Sequence, residues 1–281
     1  MRNFIVFLCF IVGGIHTIFA QSGKLKAMED DLVFIQNTAA RFWVNMFNFD
    51  NNKGNGDFDT YTNYHDTINL LCRQFDSMLN QMLVEDKDMT YPFTKLQMQK
   101  GHLLDTYIVW SNDSLLRVFS WFLPSGTMHF YGNAVQYKNP NSIVCSFSFE
   151  NNYNKNYEVN QTGYNYDTVY ILKEENKTIY ILSGSTQGQT MYPIYQLTAY
   201  NIEDGFTSKN IFQNKNGNII NEINVGYDIS CSNINGNNFP RPIIDEEKKT
   251  MNLLEINDSC FTGKFIKYEF DGKKFKLDSK M

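Results

Sequence analysis

Val169-Tyr170-Ile171-Leu172 and Thr178-Ile179-Tyr180-Ile181-Leu182 are nearly unbroken apolar runs, separated by Lys173-Glu174-Glu175-Asn176-Lys177. Each is too short for a stable helix and rich in β-branched and aromatic residues, so the pair reads as a β-hairpin. Neither run alternates apolar with polar residues. A strand of that kind is covered on both faces, which makes this hairpin the centre of the fold. Outward from it, residues 107–281 break into short Ile/Val/Tyr/Phe-rich runs. Turn residues separate them: Asn112-Asp113-Ser114, Pro124-Ser125-Gly126, Lys138-Asn139-Pro140-Asn141, Asn216-Gly217 and Asp271-Gly272. The rhythm predicts roughly a dozen antiparallel strands, with Asp271-Gly272 turning the last hairpin as a type I′ turn. Residues 151–166, dense in Asn and Tyr, read as a long surface loop.

Upstream the period changes. Leu25, Met28, Leu32, Ile35, Ala39, Phe42 and Met46 recur at steps of three and four, a helix of about six turns. Ile68, Leu71, Cys72, Phe75, Leu79 and Met82 mark a second helix over residues 63–84. Between them, Asp50-Asn51-Asn52-Lys53-Gly54-Asn55-Gly56-Asp57 is a loop. It is no EF-hand, because Gly54 falls where a ligand is required and Tyr61 where the bidentate glutamate belongs. The expected fold is α+β, mainly β: a helical hairpin over residues 21–95 packed on an antiparallel β-meander over 96–281, as a curved sheet or incomplete barrel. A small β-propeller is the alternative, but no blade repeat recurs at a fixed period.

Residues 1–20 read as a signal peptide: Arg2, an apolar run over 4–18, then Ala20 before a polar segment. Export to the periplasm, cell surface or extracellular space is expected, with no transmembrane segment after signal removal. The chain carries 25 basic and 30 acidic residues, a net charge of −5; this gives no attraction to phosphate backbones, so nucleic acid is not an expected partner. Four cysteines follow the signal: Cys72, Cys145, Cys231 and Cys260. Three complete pairings are open to them, and four free buried thiols are the alternative. Cys231 and Cys260 each follow a strand, with one antiparallel strand over 242–245 between, so their loops leave the sheet at one end and could be bridged if they converge.

No G-x-S-x-G, H-E-x-x-H, G-x-x-x-x-G-K-[ST] or G-x-G-x-x-G motif occurs after the signal. His65, His102 and His129 stand too far apart to pair as ligands, and no two cysteines have zinc-ligand spacing; neither metal nor cofactor is expected. The densest cluster of chemistry lies over residues 111–138. Alternation puts Leu115, Arg117, Phe119, Trp121 and Leu123 on one face of a strand, and His129 is expected to join them from the next. Arg117, Trp121 and His129 together could stack on a sugar and hydrogen-bond its hydroxyls or a carboxylate. For each side chain a closed structural lock, with Arg117 pinning a turn and Trp121 in the core, is the preferred reading. A buried arginine needs an acceptor, and Asp113 is the nearest in sequence.

Ser111-Asn112-Asp113-Ser114, Leu116-Arg117-Val118-Phe119-Ser120-Trp121, Ser125-Gly126-Thr127-Met128-His129 and Val135-Gln136-Tyr137-Lys138 resemble, in that order, a group of uncharacterised exported proteins, mostly of Bacteroidota. Tyr268-Glu269-Phe270-Asp271-Gly272-Lys273-Lys274-Phe275 is similar to the ending those proteins share. The resemblance implies export and a β-rich body and transfers no catalytic residue. The expected function is a non-enzymatic binding or interaction protein, its partner a glycan or another envelope protein. The alternative is a glycan- or peptidoglycan-acting hydrolase with a carboxylate pair drawn from distant strands.

Overall fold

The computed structural model describes residues 2–51, 58–96, 103–124, 129–148, 163–174, 177–189, 191–203, 205–214, 216–232, 234 and 239–278. Most of the loop expected over 151–166, most of the inter-helix loop and the Ser125-Gly126 turn lie outside them. The chain divides into two compact units, Met1–Asp105 and Thr106–Met281.

The first unit holds α1 (Arg2–Asn51) and α2 (Phe58–Glu85), which pack together. Leu25, Leu32, Ile35, Ala39 and Met46 of α1 are buried, as are Ile68, Cys72, Phe75, Leu79 and Met82 of α2. These are the apolar stripes that a period of 3.6 puts on one face. Two polar residues share the α1 stripe. Glu29 is buried, and its carboxylate accepts the Tyr91 hydroxyl (2.7 Å) and the amide N–H groups of Lys95 (2.8 Å) and Leu96 (3.3 Å). Seven residues on, Gln36 donates to the Leu104 carbonyl. The segment after α2 is thereby strapped back along α1, and a buried charge with three donors is satisfied. Burial, then the bond to Glu29, holds the Tyr91 phenol well above its ordinary pKa.

The second unit is all β among the described residues, apart from one 3-10 turn at Ile229–Cys231. A first sheet runs in chain order through β1 (Thr106–Trp110), β2 (Leu116–Leu123), β3 (Phe130–Lys138) and β4 (Val144–Ser148). β5 (Asn165–Glu174), β6 (Lys177–Gln189), β7 (Tyr192–Asn201) and β8 (Thr207–Ser208) follow. Then come β9 (Phe212–Gln213), β10 (Ile219–Ile220), β11 (Glu222–Gly226), β12 (Ile243–Asp245), β13 (Thr250–Asn257), β14 (Cys260–Phe270) and β15 (Phe275–Leu277). The second sheet has the order β11-β7-β6-β5, with β8 also on β7, and the third the order β10-β9-β15-β14-β13-β12. The fold class is thus α+β, mainly β, and no barrel closes among the described residues. Strand pairing divides the meander into three sheets, because β11 returns to β7 while β15 inserts beside β9 in the unit's parallel contact.

The hairpin that opened the sequence reading is β5–β6, and period-2 alternation splits its side chains between two cores. Leu172, Ile179 and Ile181 join Leu197, Phe212, Met251, Phe270 and Phe275 in a core with the third sheet. Val169, Tyr180 and Leu182 join Leu116, Val118, Val135 and Tyr137 in a core with the first. The second sheet is therefore the middle layer of three. Each such buried side chain contributes about 1.5–3 kcal/mol.

Polar seams fix how the layers meet. Tyr180 donates its hydroxyl to Asp113 (2.8 Å), and Asp113 also accepts from the Ser111 hydroxyl (2.6 Å) and the Leu115 amide (3.1 Å), closing the β1–β2 turn. Burial first, then that bond, raises the Tyr180 phenol. Lower on the same face, Asn133 donates to Ser120 (2.9 Å) and to the Tyr164 carbonyl (2.8 Å), while the Tyr166 amide donates to the Ser120 hydroxyl (3.1 Å).

Cys231 and Cys260 form a disulfide with Cα atoms 5.6 Å apart. Their loops converge because the Asp228 amide donates to the Ser259 carbonyl (2.7 Å) and the Phe261 amide to the Ser232 hydroxyl (2.9 Å). Cys72 and Cys145 are free thiols. The β13–β14 connection, Asp258-Ser259, has positive φ at both residues (49° and 66°), the turn form expected instead at Asp271-Gly272. There Phe270 pairs with Phe275 across four residues, and only Gly272 has positive φ (94°). Asp271 takes another conformation because its carboxylate accepts the amides of Lys273 and Lys274 (both 2.9 Å) and pairs with Lys276 (2.6 Å).

Replacing Cys231 and Cys260 by serine, across a separation of 29 residues, is expected to lower stability in a urea melt by about 3 kcal/mol. A loss within experimental error would show that the hydrogen bonds alone hold the two loops. The Lys276 contact and the two amides depress the Asp271 carboxyl to about 2. A depressed folded value means that this stabilisation is present above the unfolded value of about 3.9 and is lost as the pH falls from there through about 2. Carboxyl NMR titration is expected to give that low value for Asp271 and a higher one in Lys276→Ala.

Candidate functional site

Arg117 and Trp121 share a face of β2 as their spacing requires, but each is 0 % exposed. β2 is the second strand of its sheet, flanked by β1 and β3, and nearly all of its residues are buried. Neither side chain therefore offers an accessible atom to a sugar. Among the described residues Gln136, the cross-strand partner on β3, is an acceptor for Arg117 and takes bonds from Nε (2.7 Å) and Nη2. The guanidinium also lies over the rings of Trp110 (4.8 Å) and Phe119 (5.3 Å). Asp113 instead serves the turn and Tyr180. His129 corrects the expectation further. The register pairs Trp121 with Gly132 and Leu123 with Phe130, so His129, one residue earlier, falls on the opposite face, where its ring meets Phe122 edge-on at 5.3 Å. Arg117, Trp121 and His129 therefore do not converge on one surface. Arg117 is bonded to its cross-strand partner Gln136, and the Trp121 indole packs over its own partner, Gly132.

A concave site does exist, between the second and third sheets. It is a cleft of about 360 Å³ lined by β11, by β13 and β14 and by the β9–β10 region. Ile223 of β11 packs toward the core shared with the third sheet, as do Ile220 and Ile266. Val225 and Ile256 pack beside Tyr227, Leu254 and Phe261. The floor is thus aliphatic. Gln213, Asn214, Asn224 and Glu222 add polar groups to the lining, while Tyr268 belongs to the buried core beneath it. Asn224 accepts from the Tyr164 hydroxyl (3.1 Å) and donates to the Glu222 carboxylate. Tyr164, Tyr166 and Tyr200 are raised above the ordinary phenol range first by burial, with the Glu222 charge adding to it.

Sequence reasoning did not single out this cleft. Its one local signal is Glu222-Ile223-Asn224-Val225-Gly226, polar and apolar in alternation; the rest of its lining comes partly from Gln213, Asn214 and Ile220 just upstream and partly from β13 and β14, about thirty or more positions further along the chain. Gly226 is required where it lies, since a Cβ there would sit 2.7 Å from the Tyr192 ring. Among the described residues no three His, Cys, Asp or Glu side chains gather as metal ligands, and no helix is long and apolar enough to cross a membrane. Comparison with family models, curated proteins and solved structures gave no match.

Gly132→Ala is expected to destabilise the protein by about 1–3 kcal/mol, because the added methyl would overlap the Trp121 indole. A denaturant melt unchanged from the parent would show that the indole has room to shift.

Proposed function

We propose that the chain is an exported, non-enzymatic binding or interaction protein of the periplasm, cell surface or extracellular space, and that the cleft beside β11 seats its ligand. One observation carries this reading: a preformed concavity with an aliphatic floor and a few polar groups in its lining, the composition of ligand sites in general. Glu222 is the one carboxylate among its described lining residues, whereas hydrolysis of a glycan needs two facing each other. Export is supported by the apolar run before Ala20, by a disulfide of the kind that oxidising compartments sustain, and by the resemblance to exported Bacteroidota proteins.

The test uses the neutral, polarity-sensitive dye Nile red. Its fluorescence is expected to rise on binding the parent protein, and Ile256→Asp is expected to weaken that binding about tenfold while leaving the far-UV spectrum unchanged. Equal dye binding by the variant would remove the cleft as the site. Turnover of a glycan, peptidoglycan fragment or peptide, abolished by a single Asp or Glu substitution in a folded variant, would overturn the non-enzymatic reading.

A further inference from the structure

The ligand class follows from which way the backbone of β11 points. In an antiparallel pair, alternate residues bond to the partner and those between them bond outward. The Ala199 amide donates to the Asn221 carbonyl (2.9 Å) and the Tyr227 amide to the Pro193 carbonyl (3.3 Å). With Ile223 opposite Leu197 and Val225 opposite Tyr195, Ile223 and Val225 therefore turn their N–H and C=O groups toward β7, as do the Asn221 carbonyl and the Tyr227 amide. Glu222, Asn224 and Gly226 direct theirs away from it. Among the described residues no strand pairs with that side of β11, which ends the sheet order.

The other end of the same sheet is treated differently. On β5 the Ile171 amide is taken by the Glu246 carboxylate, and Arg241 pairs with Asp167 (2.6 Å) beside it. Charged side chains that occupy an edge are how sheets discourage an added strand. Among the described residues no charged side chain takes an outward amide of β11, and the open side of that strand lies along the cleft.

We infer that β11 receives an extended peptide as an added strand of the second sheet. The inference rests on the binding reading above and names its ligand. About five residues of the peptide would exchange hydrogen bonds with Glu222, Asn224 and Gly226, a span of about 17 Å. Alternate side chains on the face of Ile223 and Val225 would drop toward Leu254, Ile256 and Ile266, and must be apolar. Those on the other face lie beside Glu222, where the carboxylate and the chain's net charge of −5 select lysine or arginine. A glycan would leave the aliphatic floor unfilled and the strand edge only partly bonded.

The probe is a capped peptide of about nine residues, alternating valine and threonine with one central lysine, together with two N-methylated versions that block alternate amides in the two possible registers. Amide exchange followed by NMR is expected to slow at least tenfold at Asn224 and Gly226 on saturation, and one N-methylated series is expected to lose binding while the other keeps it. Glu222→Lys is expected to raise Kd for the lysine peptide about tenfold and to favour its glutamate counterpart. Asn224→Pro, which removes an outward donor without touching the bonds to β7, is expected to weaken binding in a protein that still melts cooperatively. Unchanged exchange at β11, equal binding by both N-methylated series, or protection that grows with protein concentration in the absence of peptide would each overturn the inference, the last by assigning the edge to a second copy of the chain. Nile red bound in the cleft without peptide protection would overturn this inference alone. A peptide protected at β11 and then cleaved would uphold the strand addition while removing the non-enzymatic reading.

Discussion

The second unit depends on the need of one hairpin to bury both faces. β5 and β6 carry apolar residues at consecutive positions, so side chains at even and odd places along each strand require a cover of their own. A single sheet supplies one cover at most. The three-layer arrangement follows: the first sheet takes one face, the third takes the other, and the edge strands of the middle sheet become the places where the two covers run out.

Burial alone does not fix how layers are aligned, because aliphatic contacts are not directional. The polar seam does. Tyr180 reaching Asp113, and Asn133 linking Ser120 to the Tyr164 backbone, are satisfied only in one alignment of the first two sheets, and misalignment would leave buried groups unbonded at a cost of about 1–3 kcal/mol each. Glu29 does the same within the helical unit. It sits where a leucine would pack as well, yet its three donors hold the following segment to one position along α1.

What the sequence makes legible is what depends on local period. The helix faces and the two-sided hairpin can be read directly because burial repeats at 3.6 or at 2. Arg117 is conspicuous as a cation among apolar neighbours, whereas Glu29 and Gln36 lie beside the Leu25-Leu32 stripe and gain their roles only from partners more than sixty residues on. Gln136 as an acceptor for Arg117 is not legible: it lies 19 residues on and meets the arginine only through the β2–β3 register. That register also decided the face of His129. Strand alternation places His129 with Tyr131, but whether the pair joins Trp121 or Phe122 depends on the parity of the connection between the strands, which spacing within either strand does not contain. The cleft is harder still, since its walls are brought together by sheet packing between β11 and β13–β14. At Asp271-Gly272 the dipeptide marked a turn correctly, yet a side chain able to accept two backbone amides outcompeted the two-residue form.

The parallel contact of β15 with β9 has a bearing on the order of events in folding. Phe212 and Phe275 lie side by side in register, their rings stacked with centroids 5.9 Å apart. Sixty-three residues separate them, so joining them requires a long loop to close before any bond rewards it, whereas β13, β14 and β15 zip together from short turns. Loop-closure entropy therefore favours formation of the β12–β15 ribbon before β9 and β10 add to it. Until they do, the core shared with the middle sheet lacks Ile211 and Phe212, and Phe270 and Phe275 keep an uncovered side.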